Sequence, residues 1–285
     1  SLIGRILGIE KETDEYVKTI QKTIEKNGIA VSLEEVVADE KSLWVAYSLT
    51  DENDENDISM NSVQAAVDGE ALALERQYAL NNSTGLEKTA SKYFVAKFNR
   101  SKADRSQKFE IEIGTFQNEN GQVEEKDAYE FSFTADPEAL QADTKEIDIQ
   151  VSIPIEKNQT FLISEMKYNI FGCTISGSFS DMAEDDEFWL RGKDDLGNEY
   201  VFNLTSYDKP NLIFELQDLG ISDHAKQLTL QLYHYSGTTG KTVSYEQKES
   251  EDAYIEEIGT VYDEDQAPED LAVPVGDGIT VDLQN

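Results

Sequence analysis

The sequence predicts an all-β protein: two tandem immunoglobulin-like β-sandwich domains with a short N-terminal helix. Three observations predict it. Short apolar runs of period two recur along the chain, separated by turn residues. A hydrophobic register established in the first half starts again midway. The length, 285 residues, suits about two domains. The expected division is a helical leader over 1–13, a first sandwich over 14–143 and a second over 144–285. An acidic insertion is expected near 246–270.

Leu2, Ile3, Ile6 and Leu7 fall at i, i+4 spacing, a short helix with one apolar face. From Val17 to Ile24 the period becomes two, and Asn27-Gly28 marks a tight turn. Ile29, Val31 and Leu33 alternate with polar or small neighbours. The Val36-Val37 pair then breaks the alternation, which predicts a bulge or a change of sheet. Leu43, Val45, Tyr47 and Leu49 form another strand, and 51–57 is an acidic loop. Residues 63–67, the Asp68-Gly69 turn and 71–74 form a hairpin. Strands are predicted at 93–98, 109–113 and around Tyr129, Phe131 and Phe133, followed by a turn or a single helical turn at 136–140.

Ile147, Ile149, Val151 and Ile153 alternate, and the pattern then restarts. Ile24-Glu25-Lys26-Asn27 recurs as Ile155-Glu156-Lys157-Asn158, after which one residue is lost. An offset of 130 then maps Val31 to Phe161, Leu33 to Ile163, Leu43 to Cys173 and Leu49 to Phe179. A repeat this long implies two related domains rather than a solenoid. Residues 188–191, the turn 194–198 and 200–204 form a hairpin. Leu212 to Phe214 and Leu228 to Leu232 continue the sheet, and 279–283 closes it.

The net charge is −34, from 58 acidic and 24 basic residues. Such a surface repels phosphate backbones and anionic headgroups, which excludes general nucleic-acid binding. No apolar run reaches the roughly 18 residues needed to cross a bilayer. The chain opens on Ser1 and is expected to be cut from a longer protein. The single cysteine, Cys173, lies in a strand-like run and is expected to act as a small buried hydrophobe. Two histidines and no nucleophile, zinc or phosphate-loop motif lead us to expect a non-enzymatic protein without a cofactor.

Calcium is the metal to weigh, because hard oxygen ligands abound. Asp51, Asn53 and Asp57 give a calcium-loop-like spacing. The loop lacks the glycine and the distal glutamate of a complete one, having Asn56 and Ser62 instead, so a solvated acidic loop is the competing reading. Trp44 and Trp189 are candidate ligand-contacting aromatics, weighed against core packing. Leu43, Val45 and Tyr47 share one face, so Trp44 points the other way, either under the N-terminal helix or into solvent.

The run from Tyr16 through Asn27-Gly28-Ile29, Glu35-Val36-Val37-Ala38-Asp39 and Leu43-Trp44-Val45-Ala46-Tyr47-Ser48-Leu49 resembles a known family. It is the domain-of-unknown-function family found in ectodomains of membrane-anchored anti-sigma factors of Gram-positive bacteria. Residues 145–285 resemble the immunoglobulin-like domain that often follows it. The resemblance implies an extracytoplasmic sensor or regulatory region, anchored through an upstream transmembrane helix outside this chain. A sigma factor would be reached only through a cytoplasmic segment, also outside it, and the partner here would be an envelope protein or ligand. It brings no catalytic residues. The alternative is a cell-surface module that binds carbohydrate or protein.

Overall fold

Asn27 and Gly28 both take positive φ, 49° and 79°. This is the type I′ geometry whose twist matches paired antiparallel strands. It joins β1 (Lys18–Lys26) to β2 (Ile29–Ala38), and Asp68-Gly69, at 51° and 84°, does the same for β4 (Asn61–Val67) and β5 (Glu70–Ala79). Residues 1–9, 12–51, 58, 60–80, 91–100, 105–119, 122–155, 159–179, 186–208, 210–217, 220–235, 241–250, 253–261 and 272–284 are described by the computed structural model. The chain divides into two units, Ser1–Thr144 and Lys145–Asn285.

The first unit adds β3 (Ser42–Asp51), β6 (Ser91–Asn99), β7 (Gln107–Glu119) and β8 (Gln122–Ala135), with helices α1 (Leu2–Leu7) and α2 (Glu138–Asp143). All eight strands join one antiparallel sheet in the order β1-β2-β3-β6-β5-β4-β7-β8. Its inner face is one apolar core, including Val31, Leu33, Tyr47, Phe98, Phe109, Ile113 and Tyr129. The two ends of the sheet approach each other, β8 lying near β1 and β2, so the sheet curls like a barrel. Lysines on β1 close that seam. Lys18 Nζ donates to Thr134 O at 2.7 Å and Lys22 Nζ to Ser132 O at 3.3 Å; Lys26 Nζ donates to Ala128 O.

In the second unit the main sheet holds β9 (Lys145–Pro154), β10 (Thr160–Asn169), β11 (Gly172–Ser178), β12 (Glu187–Asp194), β13 (Glu199–Asp208), β14 (Asn211–Leu216), β15 (Gln227–Tyr235) and β18 (Val273–Asp282). The separate hairpin β16 (Lys241–Ser250) with β17 (Ala253–Val261) falls between β15 and β18, where an acidic insertion was expected; 262–271 lie outside the described residues. Read from β9, the order is β9-β10-β11-β14-β13-β12-β15-β18. With the inserted hairpin set aside, this is the strand order of the first unit.

The ladders both support and correct the sequence repeat. β2 slips against β3 between Leu33 and Glu35, and β10 slips against β11 between Ile163 and Glu165. These are equivalent positions at the offset of 130. The bulge thus precedes the Val36-Val37 pair. Val37 breaks the alternation for another reason: it is buried on the outer face, away from the central core. The tetrapeptide match is out of register. Ile24 pairs with Val31 and Ile153 with Phe161, so Ile24 corresponds to Ile153 rather than Ile155. The second unit gains a residue in this connection instead of losing one. Each unit is also a single curled eight-stranded sheet, whereas alternation alone had suggested two separate sandwich sheets.

Candidate functional site

Trp44 is packed away. It is 2 % exposed and lies on the outer face of β3, between its cross-strand partners Val37 and Lys97. Helix α1 packs across β2, β3, β5 and β6. Ile3, Leu7, Val37, Trp44, Ala46 and Val95 are all buried yet stand apart from the central core, which makes a second, smaller core on the helix side of the sheet. Ser1 caps α1 through its Oγ, which accepts from Gly4 N at 3.0 Å, and Gly8 ends the helix in the left-handed region. Tyr78 stacks on Trp44 at 6.4 Å, and the Lys97 ammonium sits 5.2 Å above the indole. Lys97 pairs with Glu75 at 3.0 Å. Burial pushes the Lys97 pKa down, and the Glu75 charge opposes that shift. Trp44 therefore offers no ring to a ligand.

Trp189 is placed differently. It lies half-buried on β12, on the face opposite its core-facing neighbours Phe188 and Leu190. Its partner across the ladder is Tyr233 of β15, and Tyr233 in turn faces Pro274 of β18. Directly opposed strand residues have Cβ atoms about 5 Å apart, so these three form one row across three strands. The Arg191 guanidinium lies 5.2 Å from the Tyr233 ring centroid, a cation–π contact. Gln231, two residues from Tyr233, is held by donating to Leu232 O at 3.0 Å and Val275 O at 3.1 Å. The result is a partly exposed row of two aromatic rings and a proline, with a planar cation and a fixed amide beside it. Such groups can stack on a flat apolar face and hydrogen-bond around it. Tyr233, Pro274 and Arg191 were not singled out in the sequence, because only the long-range β12–β15–β18 pairing brings them to Trp189.

The acidic loops do structural work where they are described. Asp51 is fully buried at the end of β3, while Asn53 and Asp57 lie outside the described residues. Asp194 ends β12 with its carboxylate turned into the hairpin loop. Its Oδ1 accepts from Leu196 N at 3.0 Å and Asn198 N at 2.8 Å. Its Oδ2 accepts from Asn198 Nδ2 and Tyr200 Oη, both at 2.8 Å. Burial works against the charge, but these bonds outweigh it and hold the carboxyl below its ordinary pKa. Asp195 accepts from Lys226 N and Gln227 N, which lowers its pKa too and ties the loop to the start of β15. Among the described residues, no group of three or more His, Cys, Asp or Glu side chains is placed to hold a metal ion.

Cys173 is buried in the second core, and burial alone pushes its thiol pKa up. His234 stacks on Phe188 at 4.6 Å, and its Nε2 lies 2.8 Å from Asp186 Oδ1. No helix among the described residues is long and apolar enough to cross a membrane.

Comparison with known proteins bears on the fold. No protein-family model and no curated protein matches the chain. The structure is similar to a crystal structure of a "conserved domain protein" from Bacillus anthracis, with a TM-score of 0.62 and 17 % sequence identity, over 97 % of this chain and 94 % of that one. At that identity the likeness is one of fold. A pullulanase type I from Bacillus subtilis str. 168, solved with maltose, aligns over 81 % of this chain and 26 % of its own. Its identity is 9 % and its TM-score 0.21, too low to carry an argument.

Proposed function

We propose that this chain is a non-enzymatic recognition region: the extracytoplasmic sensor or regulatory part of a membrane-anchored anti-sigma factor. The strand pattern from Tyr16 to Leu49, which forms β1 to β3, supports the family part of this reading. The recognition part rests on one observation, the partly exposed row of Trp189, Tyr233 and Pro274 beside Arg191. The immunoglobulin-like reading of each unit belongs here as well. It is supported by β5 and β13, each of which changes partner along its length.

A reporter driven by the cognate sigma factor tests the proposal. Deleting residues 1–285 from the full-length protein should leave sigma binding intact and abolish the response to envelope stress. A response that survives the deletion would refute it. So would a full-length reading frame without a membrane helix and a cytoplasmic segment upstream.

The second reading is a surface carbohydrate-binding module, favoured by the same aromatic row. It predicts that soluble glycans shift the emission of Trp189 and that Trp189→Ala removes binding with the fold intact. Glycan arrays with no signal above a heat-denatured control would dismiss it.

A further inference from the structure

The first unit carries a cleft of about 690 Å³ to which none of the preceding roles applies. Strand β4 pairs with β7 from Asn61 to Val67, but it meets β5 only where Ala65–Val67 face Glu70–Leu72. From Ala73 onward β5 pairs with β6 instead. The two strands therefore part, and among the described residues no ladder joins 61–64 to 73–79. Side chains bridge the far end: Gln77 Nε2 and Tyr47 Oη both donate to Asn61 Oδ1 at 2.8 Å. Between bridge and ladder, two strand edges face an opening.

The walls of the cleft are of two kinds. Val63, Leu72 and Leu74 are apolar, and Leu74 is 45 % exposed. On β7 and β8, Glu110, Glu112 and Glu130 face the cleft with Lys108 as the one base. Glu112 and Glu130 are direct cross-strand partners. Like charges placed opposite each other destabilise a sheet, and a cation lying between them reverses the sign of that interaction.

We propose that this cleft binds an extended peptide segment in which apolar and basic side chains alternate. An extended segment can use the main-chain groups of an open strand edge. Its period of two sends one set of side chains toward Leu72 and Leu74 and the other toward the glutamates. Charge complementarity selects the basic set. The proposal concerns a different unit from the aromatic row and does not depend on the anti-sigma reading.

The probe is a labelled octapeptide alternating valine and lysine, blocked at both ends, titrated by fluorescence anisotropy against the whole chain. Its counterpart alternates valine and glutamate. Because the chain is strongly acidic, two triple variants with the same charge change are compared. One is Glu110→Gln/Glu112→Gln/Glu130→Gln at the cleft; the other is Glu138→Gln/Asp223→Asn/Asp277→Asn elsewhere. At about 0.15 M salt, where long-range attraction is screened, the cleft triple should lose about tenfold or more in affinity and the control less than about twofold. Amide exchange should slow at 61–64 and 73–76 when the peptide is bound. Equal losses in the two triples would overturn the proposal by showing only general attraction to the charge. Equal binding of the glutamate peptide, no binding of the lysine peptide, or protection confined to other strands would also overturn it.

Discussion

The two units share a strand order and differ in how they are finished. In the first, the seam between the outermost strands is held by Lys18, Lys22 and Lys26 reaching to carbonyls of β8. In the second, the equivalent seam is packed. A Cβ on Gly276 of β18 would lie 2.6 Å from Ile153 Cγ2 on β9, and Leu283 O accepts from Tyr168 Oη and Lys145 Nζ. The cores differ likewise. Phe161, Phe179, Phe188 and Phe214 cluster in the second, with ring centroids 5.0 to 6.1 Å apart. The first stacks its rings in pairs, Tyr47 on Phe94 and Phe109 on Phe133. Tyr129 donates from within its core to Lys26 O and Ile29 O, and burial pushes its pKa up to about 12. The outer faces diverge most: the tryptophan of the first unit is buried beside a helix, and that of the second is half-buried in a row of side chains. Topology is therefore compatible with quite different chemistry at the seam, in the core and on the outer face.

The two tryptophans offer the largest contrast to test. Trp44→Ala empties a closed site and should cost about 3–5 kcal/mol in denaturant unfolding. Trp189→Ala, at a half-buried position, should cost about 1–2 kcal/mol. Acrylamide should correspondingly quench Trp189 and spare Trp44. Equal costs would remove the distinction between a packing residue and a displayed one.

The seams come next. Gly276 has φ of 66°, and a side chain there meets Ile153. Gly276→Ala should therefore destabilise the second unit by about 2–4 kcal/mol, combining backbone strain with overpacking. Lys22→Met in the first seam should cost less than about 1 kcal/mol, since an exposed ammonium gives up solvent to make its bond. Thermal unfolding of each variant measures the difference. A seam lysine that matters as much as Gly276 would mean that both barrels close by the same means.

The hairpin loops between the fourth and fifth strands give the third contrast, smaller than that between the tryptophans or at Gly276. The first unit turns in two residues and the second needs a carboxylate to organise its loop. Asp194→Asn should cost about 1–3 kcal/mol at neutral pH. Its folded pKa lies below the unfolded value of about 3.9, so its contribution is present above that value and is lost as pH falls through the folded pKa. Amides at 196–200 should accordingly lose exchange protection in acid, before those around the Asp68-Gly69 turn. The Asn variant should show a weaker acid dependence in that loop. An unchanged acid profile would take Asp194 out of the account.

Much of the local structure was legible in the residues. Period-two alternation marks strands because successive side chains point to opposite faces. Asn27-Gly28 and Asp68-Gly69 mark turns because they tolerate positive φ. The offset of 130 holds through the ladders to equivalent bulges at Leu33/Glu35 and Ile163/Glu165, although the Val36-Val37 pair marked the bulge too far along the strand. The tetrapeptide identity misled because polar residues in a connecting loop are not held by the ladder. The register of Val31 and Phe161 was informative because a one-residue slip would turn their side chains out of the core. The candidate sites were less legible. The sequence placed Trp44 and Trp189 in strands and gave the phase of Trp44, but not which outer face would be covered.

The sequence by itself determined most of the strands, though not the hairpin β16–β17 inside the expected acidic insertion, and it determined where tight turns fall and which side of the core strands is apolar. Those are local properties, set by φ preferences and by alternation along a few residues. Tertiary structure decided the strand order, the burial of Trp44 beside α1, the meeting of Trp189 with Tyr233 and Pro274, and the parting of β4 from β5 that opens the cleft. These depend on pairing between segments tens of residues apart. Such pairing is selected by the packing of the whole sheet, and neither partner carries a local mark of the other.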